Sequence, residues 1–511
     1  MIIPGFSGGL AKSLYEDLSL QTYQSAIDLA VFNDTRILTP VLPAFTDVAL
    51  PTQFGTPGDL SGVNFRNYIN ALGGNYFLGT GVVSSTNYVI LYSTGTLDAS
   101  PSWTKAYGVA GAVSFGGICE YKGSIYFGNG SALIKHTPPS TNATAGTLAS
   151  SGKFGDIISH KGLGRVFFAH DTAGDAVYSK VGWYDGSTFT EGVLTLGTGL
   201  NITNLDQLGK FVLIGVNPVN NSANSYIIVW DGSSSTIEDI IEIGDRGLHA
   251  FKNEGGTILA LTNNIPTTAS NSTKRIYSGG AGGQMQLKKE IFVNTGSTVY
   301  SPHGVSVSGN GLYLGLDSGG IYNYNSKDSS MPKFLSNFRN LSVSAQAGGN
   351  VSIKSLVDTG TAIVCNWIDS TSGIVHKIST TGGVQATPLT GVYESNIFAL
   401  NGGLPGKLKR IILNHKAIPA SCGFTVQLKQ FGNYTWGTSV PTPEIYQDLL
   451  TPEGSGSSTG KTQSTDNAFI TEITGNELFK TARYAQVKIK FDEAFGTVAP
   501  SIIFPLLIET D

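Results

Sequence analysis

One short sequence pattern recurs along most of the chain: a glycine, a variable residue and then a run of strand-forming apolar residues. Successive glycines are 41 to 55 residues apart, which is the spacing of blades in a β-propeller. Glycine at this place suits a tight turn, and a continuous apolar run suits a strand that is buried on both faces. The seven copies begin at Gly74, Gly123, Gly164, Gly209, Gly256, Gly311 and Gly360.

Each copy is followed by a turn-rich gap and a second short strand, as in Tyr226–Trp230 and Ile374–Ile378. One unit of this size cannot cover its own apolar faces, so a closed ring of similar units is expected. The sequence therefore predicts an all-β fold with a roughly seven-bladed β-propeller, and the uneven spacing leaves six or eight blades open. Closure of the ring needs a strand from outside the last repeat, for which Val48–Leu50 and Gly391–Phe398 are the candidates.

The repeats divide the chain into three predicted regions. Residues 1–55 lack the pattern and form an extended N-terminal arm, residues 56–402 form the propeller, and residues 403–511 form a second domain. In Phe424–Lys429 and Ala485–Phe491 apolar and polar residues alternate strictly. Such alternation indicates a sheet with one buried face and one face in water. We therefore expect a C-terminal antiparallel β-sandwich.

The N-terminal arm is rich in apolar side chains but poorly suited to a core of its own. Gly8 and Gly9, followed by three prolines, favour an extended chain. Burial of the apolar side chains on another subunit would offset the entropy lost when such a segment becomes ordered. We predict an assembly arm that grips a neighbouring subunit through Ile2, Ile3, Phe6, Leu10, Leu14 and Leu18.

Composition narrows the classes of partner and compartment. Charged residues make up 13% of the chain and the net charge is −4, so no basic surface for nucleic acid is indicated. The cysteines Cys119, Cys365 and Cys422 form no CxxC pair, and a buried free thiol is the interpretation of Cys365. We find neither a signal peptide nor an apolar run long enough to span a membrane. Synthesis in a reducing cytoplasm is therefore expected.

No catalytic, cofactor-binding or metal-binding motif stands out. The seven histidines have no partner at metal-ligand spacing, and no GxSxG motif is present. Asp185-Gly186 and Asp231-Gly232 share only the Asp-Gly core of the turns found in sialidase-like propellers. A glycan hydrolase, which needs paired carboxylates, is one alternative function. Its candidate residues are Asp156, Glu238, Asp239 and Asp245.

A carbohydrate-binding propeller is the other alternative. Aromatic rings on loops can stack on sugars, and Trp103, Trp183 and Trp436 are the candidates. The simpler interpretation is that each ring packs between blades, and we prefer it for all three.

The closing stretch carries a likeness to a known family. Lys407–Leu413 opens the predicted sandwich, Tyr434–Trp436 follows its second strand, and Arg483–Ile489 precedes a final strand at Pro500–Glu509. With the arm and propeller before it, this order resembles structural proteins of tailed-bacteriophage virions, of the tail nozzle or tail accessory type. The likeness covers the order of parts over most of the chain.

This resemblance implies a structural subunit of the virion tail or its attachment apparatus, made in the host cytoplasm. Its implied partners are other copies of itself and other tail proteins. A host-surface glycan is a further candidate partner, and DNA would be met only by passage through an exit channel. No enzyme activity, cofactor or membrane span is implied.

Overall fold

The structure of the protein is a computed structural model. The structure describes residues 2–3, 25–27, 30–32, 37–39, 45–47, 64–81, 87–94, 102–110, 115–139, 141–172, 177–219, 222–264, 272–280, 282–293, 300–308, 311–316, 320–325, 334–338, 352–358, 362–368, 373–379, 389–395, 397–416, 423–431, 446–451, 461–462, 470–474, 479–494 and 502–510. Strands dominate these ranges, and the helical turns Ala149–Ser151 and Asn401–Gly403 are of the 3-10 type. In the ranges given, no helix is long and apolar enough to cross a membrane. The predicted all-β class is confirmed.

Among the described residues, five short strands precede the repeats. They are β1 (Ile2–Ile3), β2 (Ser25–Ile27), β3 (Ala30–Phe32), β4 (Ile37–Thr39) and β5 (Phe45–Asp47).

The repeat region folds into four-stranded antiparallel units, each formed by consecutive strands. The first unit holds β6 (Asn64–Ala71), β7 (Gly74–Gly81), β8 (Asn87–Thr94) and β9 (Ser102–Ala110). The second holds β10 (Phe115–Tyr121), β11 (Ser124–Asn129), β12 (Ala132–Thr137) and β13 (Thr141–Thr147). The third holds β14 (Phe154–His160), β15 (Arg165–His170), β16 (Lys180–Tyr184) and β17 (Phe189–Thr195). The fourth unit holds β18 (Leu200–Leu208), β19 (Phe211–Pro218), β20 (Tyr226–Trp230) and β21 (Asp239–Glu242). The fifth holds β22 (Leu248–Glu254), β23 (Thr257–Asn264), β24 (Ser272–Gly279) and β25 (Gln286–Val293).

Two further units follow along the chain. The sixth holds β26 (Tyr300–Ser308), β27 (Gly311–Leu316), β28 (Gly320–Asn325) and β29 (Phe334–Phe338), and it continues into a larger sheet. The seventh holds β30 (Ser352–Asp358), β31 (Ala362–Ile368) and β32 (Gly373–Ser379), with β5 as its fourth strand. The closing strands are β33 (Leu389–Glu394), β34 (Phe398–Ala399), β35 (Leu408–His415), β36 (Gly423–Phe431), β37 (Gln447–Thr451), β38 (Lys461–Thr462), β39 (Ile470–Thr474), β40 (Tyr484–Ala494) and β41 (Ile502–Thr510).

The repeated glycines lie where the first strand of a unit turns into the second. Gly123, Gly164, Gly209 and Gly256 have positive φ angles between 57° and 93°, a region that side chains rarely enter. The apolar run after each glycine forms the second strand, which has a strand on either side of it. Such a strand is covered on both faces when units stack, as in the fully buried Phe127 and Phe167.

The first strands of the units contact one another in succession and close a ring. β6 contacts β10, each later first strand contacts the next, and β30 returns to β6. This arrangement is a β-propeller. β5 completes the last unit, with Phe45, Thr46 and Asp47 opposite Ile378, Lys377 and His376. The closing strand therefore precedes the predicted Val48–Leu50, and Gly391–Phe398 belongs to another sheet.

A β-bulge interrupts the first strand of every unit at the same place. The register shifts between Phe65 and Asn67 in β6, and between Phe154 and Ile157 in β14. The other five first strands shift at the matching step. A bulge bends its strand and redirects side chains, so it presents polar groups to the neighbouring unit.

Beyond the ring, two sheets share one cluster of buried residues. The terminal sheet has the order β3-β4-β41-β35-β39, with β1 also on β41, and the other sheet runs through β33, β40, β36 and β37. Ile411, Leu413 and Ile508 from the terminal sheet join Val426 and Val487 from the other in one buried cluster. The predicted domain boundaries, and a sandwich that folds independently, stay predictions.

One expectation about this region was wrong: the polar face of β36 and β40 is not open to water. Thr425 and Gln427 are each 8% exposed, and Gln486 is 2% exposed. Their polar atoms have local partners instead, since Gln427 donates to Asp448 at 2.6 Å and Gln486 to the Ser395 carbonyl at 2.8 Å. Alternation predicted the apolar face correctly, but it cannot show what covers the polar one.

The strands of the predicted arm pair with sheets of their own chain. β1 and β4 lie along β41, and β2 lies between β29 and β33. These pairings lie within one chain, and the predicted grip on a neighbouring subunit stays a prediction. Of the six predicted assembly residues, Ile2 and Ile3 form β1, opposite Leu507 and Leu506. Phe6, Leu10, Leu14 and Leu18 lie outside the described residues.

The repeat architecture predicts a large difference between two phenylalanines. Phe167 in β15 is fully buried, whereas Phe211, at the start of β19, is only partly buried. We expect Phe167→Ala to lower the free energy of unfolding by about 3–5 kcal/mol because it leaves a cavity between units. Phe211→Ala, the control, should cost clearly less. Denaturant unfolding measures both, and equal losses would contradict the burial described.

Candidate functional site

The four carboxylates of the hydrolase alternative lie on different elements. Asp156 lies in β14, Glu238 and Asp239 are exposed at the outer strand of the fourth unit, and Asp245 lies in the connection to β22. Asp156 and Asp245 each bond to groups of their own surroundings, as described next.

Asp156 acts as a link between neighbouring units. It lies at the bulge of β14, where its Oδ2 accepts a hydrogen bond from the Leu205 N–H at 2.8 Å and its Oδ1 accepts one from Ile157 at 3.0 Å. Asn204 holds the next pair of units in the same way, through the backbone N–H and carbonyl of Phe251. Asn67 donates to the Gly116 carbonyl at 3.0 Å. These contacts assign the bulge residues a structural role.

Close packing of the first strands explains why some bulge positions are glycine. A Cβ added to Gly116 would lie 2.6 Å from the Gly155 carbonyl oxygen of the next unit. The sequence analysis did not predict the bulges because the residue at the bulge changes from unit to unit between glycine, aspartate and asparagine. The available signal was a small or polar pair before each first-strand apolar run, as in Gly116-Gly117, Gly155-Asp156 and Thr203-Asn204.

Asp245 is the best-buried carboxylate of the set, with 5% exposure. Its Oδ2 accepts from the Thr262 hydroxyl at 2.6 Å and the Tyr277 hydroxyl at 3.3 Å, and it forms an ion pair with Arg275 at 3.4 Å. Burial, and then the nearby Asp245 charge, raise the pKa of Tyr277 to about 12. The cluster satisfies its carboxylate internally and so resembles a structural network more than a site that awaits a ligand.

The two Asp-Gly turns hold their hairpins and dock on neighbouring units. The Asp185 Oδ1 accepts from the backbone N–H groups of Thr188 and Ser187 at 2.7 and 2.8 Å. These bonds hold its pKa at about 2. Asp231 makes the same bonds one unit later. The carbonyls of Asp185 and Gly232 accept hydrogen bonds from Lys122 and Arg165 of the preceding units.

His160 and His170 have hydrogen-bond partners of a structural kind. His160 lies against the Phe211 carbonyl at 3.1 Å and accepts from the Leu163 N–H. His170 accepts from the Gly192 N–H, and burial lowers its pKa. Among the residues with described positions, no group of three or more His, Cys, Asp or Glu side chains is placed to hold a metal ion. Buried Cys119 is a free thiol, and desolvation strongly raises its pKa.

Of the three tryptophans considered for sugar binding, the structure describes the side-chain surroundings of Trp183. Trp183 is partly buried in the core between the third and fourth units, and the Arg165 guanidinium lies 4.0 Å from its ring centroid. Trp103 is placed by its backbone in β9. Trp436 lies outside the described residues. For Trp183, packing between units is the role that its contacts support.

The outward face of the terminal sheet is a candidate interaction surface. Ile411, Leu413 and Ile508 point into the two-sheet core, so their neighbours Ile412 and Leu507 point away from it. Both of these are only partly buried, and Ile470 on the edge strand β39 is 60% exposed. An open groove of 330 Å³ lies on this face, lined by Arg410, Ile412, Leu507, Ile508, Glu509 and Thr510.

A charged cluster borders the apolar surface. Arg410 forms ion pairs with Glu509 and, at 3.2 Å, with Glu472. All three side chains are almost half exposed, so the pairs contribute little to stability in water. An apolar groove beside exposed charges of both signs is a common arrangement in protein–protein contacts.

Comparison with known proteins identifies no family. No protein-family model and no curated protein match the chain. Among solved structures, it is similar to the WD40 domain of Neurospora crassa Pan2, at 8% identity and a TM-score of 0.42, over 68% of this chain and 97% of that one. The WD40 β-propeller domain of Doa1 gives 11% identity and a TM-score of 0.39, over 63% and 98% of the two chains.

A bacterial protein is matched over more of this chain. PorZ, a surface component of the type-IX secretion system of Porphyromonas gingivalis, gives 11% identity and a TM-score of 0.43, over 88% of this chain and 61% of its own. The TM-scores of these three structures are below 0.5. The propeller assignment therefore depends on the strand topology described above.

The environment of Asp156 predicts a pH dependence of stability. Desolvation raises the pKa of its carboxyl from the ordinary 3.8 to about 6. A carboxyl with a raised pKa in the folded state stabilises the fold when protonated, and that contribution is lost as the pH rises from about 4 to about 6. The loss is on the order of 3 kcal/mol, since each pKa unit corresponds to about 1.4 kcal/mol.

Thermal unfolding of Asp156→Asn across this pH range measures the effect. The variant should fold, because Asn204 fills the matching position one unit later, and it should lack the decline between pH 4 and pH 6. Asp239→Asn removes an exposed carboxylate and should behave as the parent protein does. If the unfolding temperatures of the parent and Asp156→Asn change with pH in the same way, the raised pKa of Asp156 is contradicted.

Proposed function

We propose that the chain is a structural subunit of a tailed-bacteriophage virion, in the tail or its attachment apparatus. It acts through contacts with other copies of itself and with other tail proteins, and any contact with DNA is by passage. The resemblance of the N-terminal segment, the propeller and the closing stretch to such proteins supports this function. The chain acts by contacting neighbouring subunits and catalyses no reaction.

The observation that carries the proposal is the outward face of the terminal sheet. β41 contains the run Ile502-Ile503-Phe504-Pro505-Leu506-Leu507-Ile508, and a strand without polar alternation is typical of a sheet covered on both faces. The two-sheet core covers one face through Ile502, Leu506 and Ile508. On the other face Ile412 and Leu507 remain partly accessible beside the exposed Ile470. A neighbouring subunit would supply the missing cover.

The mass of the purified chain in solution tests this proposal. Sedimentation velocity should show a discrete assembly larger than the 53.7 kDa single chain. Ile470→Lys places a charge on the exposed face and should weaken the assembly without lowering the thermal unfolding temperature. Ile240→Lys is the matched control, since Ile240 is an exposed strand isoleucine, at 44%, in the fourth unit.

Two results would contradict the proposal. One is a single-chain mass at all concentrations together with failure to join tail particles when coexpressed with the other tail proteins. The other is equal assembly of the parent and Ile470→Lys, which would exclude this face as the contact surface.

A further inference from the structure

One long edge of the terminal sheet is closed by two separate short strands. β41 pairs along its length with β35 on one side. On its other side, β4 pairs at Ile502 and Ile503, and β1 pairs at Leu506 and Leu507. Pro505 lies between these two contacts, and a proline lacks the N–H that a continuous ladder needs. The edge therefore offers two distinct docking places for short strands.

The two docked strands differ in how they are held. β4 is one strand of a hairpin, because Val31 and Leu38 are paired across β3 and β4, and the hairpin belongs to the same sheet. β1 has only two residues, and its one described pairing is with β41. The next described strand along the chain is β2, which belongs to the other sheet.

The connection between β1 and β2 is long in sequence. Residues 4–24 join the two strands and include Gly5, Gly8 and Gly9. A chain of that length spans up to roughly 70 Å when extended. A short strand on such a connection can make the same backbone pairs with the β41 of its own chain or with the β41 of an adjacent copy, so exchange costs no contacts.

We propose that the copies exchange this strand in the assembled protein: Ile2–Ile3 of one copy pairs with Leu506–Leu507 of the next. The inference rests on the proposed function and names the partner, a second copy of this chain. An assembly raises the effective concentration of the β41 of an adjacent copy, so pairing between copies can compete with pairing within one chain. Reciprocal exchange leaves no β41 edge unpaired, so it closes the assembly without an exposed template for further strand pairing.

Coexpression of two singly substituted full chains tests the exchange. One chain carries Ile2→Cys and the other Leu507→Cys, with different affinity tags. These positions are opposite each other in the register, where cysteines are close enough to form a disulfide. Because neither chain has both cysteines, a disulfide between them can form only between copies. Mild oxidation and non-reducing electrophoresis should give a covalent dimer that carries both tags.

The matched control uses the other docking place on the same edge. Here one chain carries Ile37→Cys and the other Ile503→Cys, in place of Ile2→Cys and Leu507→Cys, and these two positions are also opposite each other. Since the β3–β4 hairpin stays with its own sheet, this pair of singly substituted chains should give no mixed dimer. Each single variant expressed alone controls for disulfides to the native Cys119, Cys365 and Cys422.

Sedimentation of the same samples separates failure of the exchange from failure of the function. An assembly with no mixed dimer from Ile2→Cys and Leu507→Cys overturns the exchange and leaves the proposed function standing. Equal amounts of mixed dimer from both pairs also overturn it, because the contact would then not be specific to β1. A protein that stays a single chain overturns the exchange, and failure to join tail particles as well overturns the proposed function.

Discussion

The ring of first strands is the constraint on which the rest of the propeller depends. Each first strand packs against the next, and the circle closes where β30 meets β6. Closure needs a complete last unit, yet the seventh unit obtains only three strands from the repeat region and takes its fourth, β5, from residues 45–47. The unit is thus built from segments more than 300 residues apart, and the ring is held by strand pairing between its two ends.

The sequence predicts those features that depend on local chemistry. Glycine before an apolar run indicates a turn and a buried strand, and Gly123 and Ser124–Asn129 take these places in the structure. The closing strand was misplaced because pairing between distant segments has no local signature. Val48–Leu50 is as apolar as many strands, yet Phe45–Asp47 is the segment opposite β32. The bulges were missed for a related reason, since their polar side chains bond to the next unit.

The same distinction applies to the candidate sites. Single residue types suggested Asp156 and Asp245 for chemistry, but the structure binds each carboxylate to groups of its own surroundings. The alternation in β36 and β40 correctly predicted which face of the sheet is apolar. It did not predict that Gln427 and Gln486, on the polar face, are also buried. What the chain leaves open is a surface: the outward face around Ile412, Leu507 and Ile470. A protein whose buried candidate carboxylates are bonded within the fold and whose apolar face is partly accessible is suited to assembly.

Amide hydrogen exchange of β32 tests the closed ring most directly. The comparison is between the full chain and a variant in which Phe45, Thr46 and Asp47 are all replaced by glycine, which weakens a strand. The closed ring predicts that residues 373–379 exchange much faster in the variant, while Tyr226–Trp230, the third strand of the fourth unit, keeps its protection. Unchanged protection of residues 373–379 would contradict closure of the ring by β5.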